Sequence, residues 1–417
     1  MTCTVQTLPL VTVQPDFDQV LDDVRHDRSA GEEVWVSCYN KDTGVSVHGN
    51  ARLFKHDGAV KVTGHSIDAQ LDAQNVLCVT CSTTGADAVR VHAAAATSAT
   101  SGLIATTMDV APGGQTYVLG GCGRGANEAA QLCVKRVADA AYQLPLHGHV
   151  ADVTLTLQRL VVLSGSADLQ LRIWSAVDGS NPVVLKGHSA AITSLAIVGR
   201  AASRDGTVKL WECGSATEIA TIARFAGPVN AITLTADFDT HGSASCDTRE
   251  SETKGKLLVC AVSDGTLHAI DLYTREKVFE LDGGFGAASK TACAISLPRQ
   301  LLASGDERGG VQVFDIASKR LLASFRRNDA AITDVQFEIS TETLHLWVTT
   351  ADGQCYRVVL ETDDEKDTMT VRLIDELVGP SLEAIVGLHL LRTNAHLCAY
   401  VAGADGVVRQ YHIPLAP

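Results

Sequence analysis

Aromatic residues are scarce: 9 Phe, 7 Tyr and 4 Trp among 417 residues, so most of any core has to be built from Val, Leu, Ile and Ala. Long apolar runs are missing as well. No stretch approaches the ~18 residues that a membrane-spanning helix requires, and no membrane partner is expected. The opening Met1-Thr2-Cys3-Thr4-Val5-Gln6 has neither a basic region nor a continuous apolar one, so no signal peptide is expected there. There is no Asn-x-Ser/Thr acceptor site. Basic side chains number 34 against 48 acidic ones, a net charge of −14. Nucleic-acid binding depends on clustered Lys and Arg that release counterions from phosphates, so the charge argues against a nucleic-acid partner and suits a basic protein surface.

What is present is a folded composition, 46% hydrophobic and 20% charged. At about 150 residues per domain, the length fits two or three domains, or one repeat array with an appendage. The 12 cysteines stand singly, several inside apolar runs (Cys38, Cys260, Cys398), as small core residues do. Reduced thiols point to a cytoplasmic or nuclear protein. Phe17, Val20, Leu21 and Val24 follow i, i+3, i+4, i+7 spacing, which predicts one apolar stripe on an acidic helix over residues 16–27. Val34-Trp35-Val36-Ser37-Cys38-Tyr39 then reads as a strand, followed by short apolar pieces at 45–48, 51–54 and 59–63 between turn clusters. Residues 1–85 are therefore read as a small α+β module.

From about residue 100 a pattern recurs: an apolar strand, a polar turn centred on Asp-Gly or a relative, then an alternating strand ending in a large residue. Ser203-Arg204-Asp205-Gly206-Thr207-Val208-Lys209-Leu210-Trp211 is its best copy. The turn anchors fall at Asp168, Asp205, Asp264, Arg308 (in place of Asp), Asp352 and Asp405, each six residues before Trp174, Trp211, Ile270, Phe314, Val358 and Tyr411. Longer gaps hold polar insertions at 237–256 and 361–368, so the period is about 40 residues. A small antiparallel sheet cannot bury both its faces alone, and stacking such sheets radially does so. A degenerate copy at 102–138 brings the count to seven. The last copy leaves too little chain for an outer strand, so Ala88-Val89-Arg90-Val91-His92 is expected to close the ring and cover the edge. The reading is an all-β, seven-bladed propeller over residues 86–417, preceded by the α+β module.

Two copies carry Gly-His about 25 and 23 residues before the Trp, at Gly148-His149 and Gly187-His188. In this the chain resembles the WD-repeat family, whose His, Ser, Asp and Trp form a buried hydrogen-bonded tetrad. The resemblance maps the tetrad onto His149, Ser166, Asp168 and Trp174, and onto His188, Ser203, Asp205 and Trp211. A narrower likeness runs from Leu146 to Glu212: His147-Gly148-His149-Val150-Ala151-Asp152-Val153, Trp174-Ser175-Ala176 and Trp211-Glu212-Cys213-Gly214 look like the proteasomal ATPase-associated factor 1 family. That resemblance implies a non-catalytic chaperone of proteasome assembly, which binds the C-terminal domain of an ATPase subunit in the regulatory-particle base. It also implies no cofactor, and a monomer on its own. In WD propellers the residue before the turn Asp and those after Gly-His line a face where partners dock. Here they select Asp152, Arg204, Glu307, Asp329 and Asp334.

Other signals are weaker. Gly121-Cys122-Gly123-Arg124-Gly125-Ala126 fits a dinucleotide fingerprint, but no βαβ alternation surrounds it. Cys78 and Cys81 have metal-like spacing without a second pair, so no metal is expected there. No nucleophile elbow, P-loop or paired-carboxylate arrangement speaks for a hydrolase or oxidoreductase propeller. A WD substrate receptor of a cullin-type ubiquitin ligase is the main rival. Such receptors carry an Arg three residues after the repeat's Trp, where this chain has Val177 and Gly214.

Overall fold

The computed structural model describes residues 4–415, apart from 101, 124–129, 150–152, 159, 197–199, 241–246, 248, 251, 283–287, 339–342, 364–366 and 380–382. Its repeated unit is a sheet of four strands, each antiparallel to the next in sequence. The 103–146 sheet, for example, runs Leu103–Val110, Thr116–Gly123, Ala130–Arg136 and Asp139–Leu146. Sheets of the same plan occupy 153–186, 192–224, 229–282, 290–326 and 332–377. The 385–414 sheet has three strands in sequence and takes its fourth from elsewhere in the chain. The first strand of each sheet packs against the first strand of the next, and Ile385–Arg392 packs against Leu103–Val110. The contacts close into a ring, the propeller arrangement.

The strand that completes the 385–414 sheet is not 88–92. Ala96–Ala99 pairs antiparallel with Val407–Gln410, and the flanking Ala95 N–H and Thr100 N–H donate to Gln410 O and Gly406 O at 2.7 and 2.9 Å. Ala86–His92 instead lies parallel to the outer strand Thr368–Leu377 of the neighbouring sheet. A closing strand at the outer edge needs only backbone groups, so Ala-Thr-Ser-Ala serves there without an apolar pattern. The more hydrophobic 86–92 segment has both its faces to cover.

The core lies in the seams between sheets. Val118, Leu132 and Val134 meet Val153, Leu155 and Trp174 in one seam, and Leu163, Leu171 and Leu185 meet Ile192 and Trp211 in the next. Each large apolar side chain buried this way contributes roughly 1.5–3 kcal/mol, which is how a chain poor in aromatics holds a ring together. Glycines on second strands admit the neighbour: a Cβ on Gly305 would fall 2.3 Å from Ile332 Cγ2, and one on Gly165 would fall 2.5 Å from Ile192 Cγ2. Polar side chains on the first strands tie sheet to sheet. Thr106 Oγ1 donates to Val153 O at 2.9 Å, Thr193 Oγ1 to Val229 O at 2.5 Å, Asn230 Nδ2 to Lys290 O at 2.7 Å and Thr291 Oγ1 to Ile332 O at 2.6 Å.

Residues 4–92 pack on one side of this ring. The predicted stripe forms a helix at Phe17–Arg25, with Phe17, Val20, Leu21 and Val24 buried against a sheet ordered Leu10–Val13, Gly31–Asn40, Val45–His56, Ala59–His65. Gln6–Thr7 adds a parallel strand to the 290–326 sheet. One apolar cluster runs from Leu8, Val24 and Val36 through Val79 and Val91 to Phe325, Val348 and Tyr356.

Candidate partner-docking face

The turn Asp and the Gly-His loop meet at one end of their sheet. Around Trp174, His149 Nδ1 lies 2.8 Å from Asp168 Oδ2, His149 Nε2 lies 2.8 Å from Ser164 Oγ, and Trp174 Nε1 donates to Ser164 Oγ at 2.7 Å. Because Asp168 accepts from Nδ1–H, a neutral ring leaves Nε2 to accept the Ser164 hydroxyl proton. Burial lowers the His149 pKa more than Asp168 raises it, which favours that neutral form. The bridging serine is thus Ser164 and not Ser166, whose hydroxyl accepts the Asp168 N–H at 3.1 Å. Residues i and i+2 share a strand face, so spacing alone cannot separate these two serines.

The Trp211 cluster is built differently. His188 Nδ1 lies 3.0 Å from Asp205 Oδ2, and the carboxylate also accepts from Ser189 N–H at 2.9 Å and from Thr207 N–H and Oγ1 at 2.9 and 2.6 Å. Burial alone would raise the Asp205 pKa, but the bonds from Thr207, Ser189 and His188 outweigh it and hold the carboxyl well below its usual range. Ser203 does not bridge to the indole. Its hydroxyl sits 2.9 and 3.0 Å from the Ala190 and Ala191 carbonyls, and Trp211 Nε1 has no hydrogen-bond partner among the described residues. The sequence has alanine at 201, the position matching Ser164. In the 290–326 sheet the turn anchor is Asp306 rather than Arg308: Asp306 Oδ1 accepts both Arg308 N–H and Gly310 N–H at 2.9 Å.

The five docking candidates separate. Arg204 is exposed and lines a cavity of about 500 Å³ with Thr106, Thr154, Thr193, Asn230 and Thr291, the first-strand residues that face the ring axis. Glu307 is also exposed, at the rim of the same mouth, where its backbone N–H donates to Ser289 O at 3.0 Å. Asp329 is exposed but already paired with Lys41 of the N-terminal segment, which lowers its pKa. Asp334, expected to be exposed, is half-buried on the first strand Ile332–Glu338. It accepts from Val335 N–H at 2.8 Å and Gln336 Nε2 at 2.7 Å, and burial pushes its carboxyl up to about 6. Asp152 lies outside the described residues.

Spacing could not reveal a buried ionic network in the 332–377 sheet. Arg357 reaches Glu338 Oε2 at 2.8 Å and Asp375 Oδ2 at 2.6 Å. Asp375 Oδ1 accepts from Arg90 at 2.9 Å and lies 2.6 Å from His92 Nε2. Burial opposes ionisation of Asp375, but Arg357, His92 and Arg90 hold it far below its ordinary range. Glu376 pairs in bidentate fashion with Arg327, at 2.6 and 3.1 Å, and Arg327 Nε also donates to Pro9 O at 2.9 Å. Ion pairs thus fasten the N-terminal segment to the ring.

The decoy motifs resolve into structure. Gly121 and Gly123 lie within the strand Thr116–Gly123, where a Cβ on Gly121 would meet Ile104 O at 2.0 Å; Arg124, Gly125 and Ala126 lie outside the described residues. Cys78 and Cys81 are both buried in the strand Leu77–Cys81. Among the described residues no helix is long and apolar enough to cross a membrane.

Comparison with known proteins agrees with the ring. Residues 187–414 match the family described as the nucleolar protein 10-like N-terminal domain, a β-propeller. The chain belongs to this β-propeller family. The chain is also 28% identical, over 169 residues, to the 26S proteasome regulatory subunit RPN14 of Saccharomyces cerevisiae, covering 38% of this chain and 40% of that protein. It is 25% identical over 193 residues to the probable proteasomal ATPase-associated factor 1 of Dictyostelium discoideum, covering 44% and 42%. The F-box/WD repeat-containing protein sel-10 of Caenorhabditis elegans is 34% identical over 122 residues, 28% of this chain and 18% of sel-10. The matches span about two fifths of the first two relatives. They bear out the resemblance to the proteasomal ATPase-associated factor 1 family read from Leu146–Glu212.

Proposed function

We propose that this propeller is a non-catalytic assembly chaperone of the 26S proteasome regulatory particle, and that it binds the C-terminal domain of a base ATPase subunit. The observation that carries the reading is the likeness to two relatives from distant organisms whose names place them with the proteasome; the Trp-Ser-Ala and Trp-Glu-Cys-Gly segments of the sequence point the same way. We read the seven sheets as seven blades. The N-terminal segment is an α+β appendage, with its boundary near residue 92 rather than 85, because Ala86–His92 completes the appendage's pairing with the ring. The protein works as a cytoplasmic or nuclear monomer. Its partner docks over the channel mouth, where Glu307 offers a carboxylate to a basic surface and Arg204 pairs with a carboxylate in return; the repeat pattern of the sequence adds Asp152 to this set. Rim charges set association rate and salt sensitivity more than affinity.

Affinity purification of the intact chain with mass spectrometry is the test. Proteasomal ATPase subunits should be recovered. Glu307→Lys combined with Asp152→Lys should weaken capture of the purified ATPase C-terminal domain and flatten its salt dependence, with an unchanged melting curve. Recovery of cullin-ligase subunits instead would favour the reading suggested by the sel-10 likeness.

A further inference from the structure

We propose that His396, Cys398 and His412 form a zinc-binding site on the 385–414 sheet, beside the strand that closes the ring. His396 and Cys398 are two residues apart on the strand His396–Gly403 and so share a face. Cys398 is the direct cross-strand partner of His412. One ligand atom from each of the three lies within 4.8 Å of the others. The imidazole rings of His396 and His412 stand 4.4 Å apart at 40°. In a tetrahedral zinc site, with Zn–N near 2.0–2.1 Å and Zn–S near 2.3 Å, donor atoms sit roughly 3.5 Å apart, a distance that side-chain rotation reaches from here.

Where the lone pairs converge, the molecule already places a proton donor. Gln410 Nε2 lies 2.9 Å from His412 Nε2 and 3.9 Å from Cys398 Sγ. One amide NH2 group thus faces a nitrogen and a sulfur, the position a cation would take with better geometry. Two imidazoles and one thiolate form a borderline-soft donor set, which suits Zn²⁺ and discriminates against Mg²⁺ and Ca²⁺. Three protein ligands leave a fourth position for water. Binding replaces the thiol proton of Cys398, which passes to solvent, by the metal. The place matters as well: Gln410 pairs with Ala96 of the closing strand, so a metal here clamps the strand that carries the closure, Val407–Pro414, to its inner neighbour His396–Gly403.

The experiment uses the full chain, stripped with a chelator and titrated with Zn²⁺ by calorimetry, and with Co²⁺ by absorption. We expect one Zn²⁺ per chain, a Co²⁺–thiolate charge-transfer band, and a melting temperature that rises with Zn²⁺. Cys398→Ser should abolish the band. His412→Gln changes an exposed side chain and should leave the metal-free fold intact, while weakening Zn²⁺ binding at least tenfold and removing the metal-dependent rise in melting temperature. Absence of stoichiometric Zn²⁺ in the native chain overturns the proposal. So does a thiolate band that survives Cys398→Ser, or an affinity that His412→Gln leaves unchanged.

Discussion

A hydrogen-bonded cluster of four side chains behaves as a unit because each member satisfies the next. Trp174 N–H, Ser164 O–H, His149 and Asp168 form one directional chain with every contact at 2.7–2.8 Å, and removal of one link strands buried partners. Ser164→Ala should therefore destabilise by roughly 1–3 kcal/mol, the cost of leaving buried donors unmade. Asp205→Ala should fall in the same range, because it strands His188 and the Ser189 and Thr207 donors. Asp264 is exposed and, among the described residues, accepts only from Thr266, at 3.0 and 2.6 Å, so Asp264→Ala should cost clearly less. Urea melts of the three variants measure this, and equal shifts would remove the case for a cluster at either Trp. The same scale explains why Ser166 and Ser203 looked eligible: a strand's two-residue period puts several hydroxyls on the right face, and only the distance to the indole selects one.

At the scale of elements, ring closure depends on a segment with little sequence signal. Ala96–Ala99 holds the edge of Val407–Pro414 through backbone bonds, and an uncovered edge invites pairing with other chains. Every second residue of an antiparallel strand bonds its partner, so replacing Ser98 and Thr100, whose N–H donates to Gly406 O, with proline removes two backbone donors that face Val407–Pro414 and should expose that edge. The expected outcome is oligomerisation in size-exclusion chromatography and faster proteolysis around residues 401–413. A proline at Asp87, within the strand Ala86–His92, should leave the 401–413 region protected. If the first variant stays monomeric and resistant, the ring is closed by something else.

Across the whole molecule, electrostatics couples the N-terminal segment to the ring and makes stability depend on pH. Glu338 is held at about 2, from an ordinary 4.5: burial opposes this, and His345 and Arg357 outweigh it. A carboxyl with a depressed folded pKa contributes stability fully above its unfolded value, and that contribution is lost as pH falls through the folded one. Stability should thus decline between pH 4.5 and about 2. Asp375, lowered in the same direction, adds to that decline. Glu338→Gln should make the acid limb of a denaturation series shallower over this window. Asp375→Asn should cost about 3–5 kcal/mol at neutral pH, because Arg357 and Arg90 lose the buried carboxylate that compensates them. An acid limb unchanged in Glu338→Gln would show that the network does not govern acid unfolding.

Local chemistry was enough to read the repeat. Asp-Gly turns need a residue that tolerates left-handed backbone, as at Gly206 with φ +76°, and alternation over a few residues specifies a half-buried strand wherever it occurs. The helix at Phe17–Arg25 and the strands from Leu103 onward follow from signals confined to a dozen residues. Three matters were decided only in three dimensions. Asp375 finds Arg90 across 285 positions of chain, and Lys41 takes Asp329 out of the set of free carboxylates. The strand that closes the ring is the weakly patterned Ala96–Ala99, which lies immediately before the first strand of the ring. Each depends on where the ring brings distant segments together, and short-range periodicity carries no information about that.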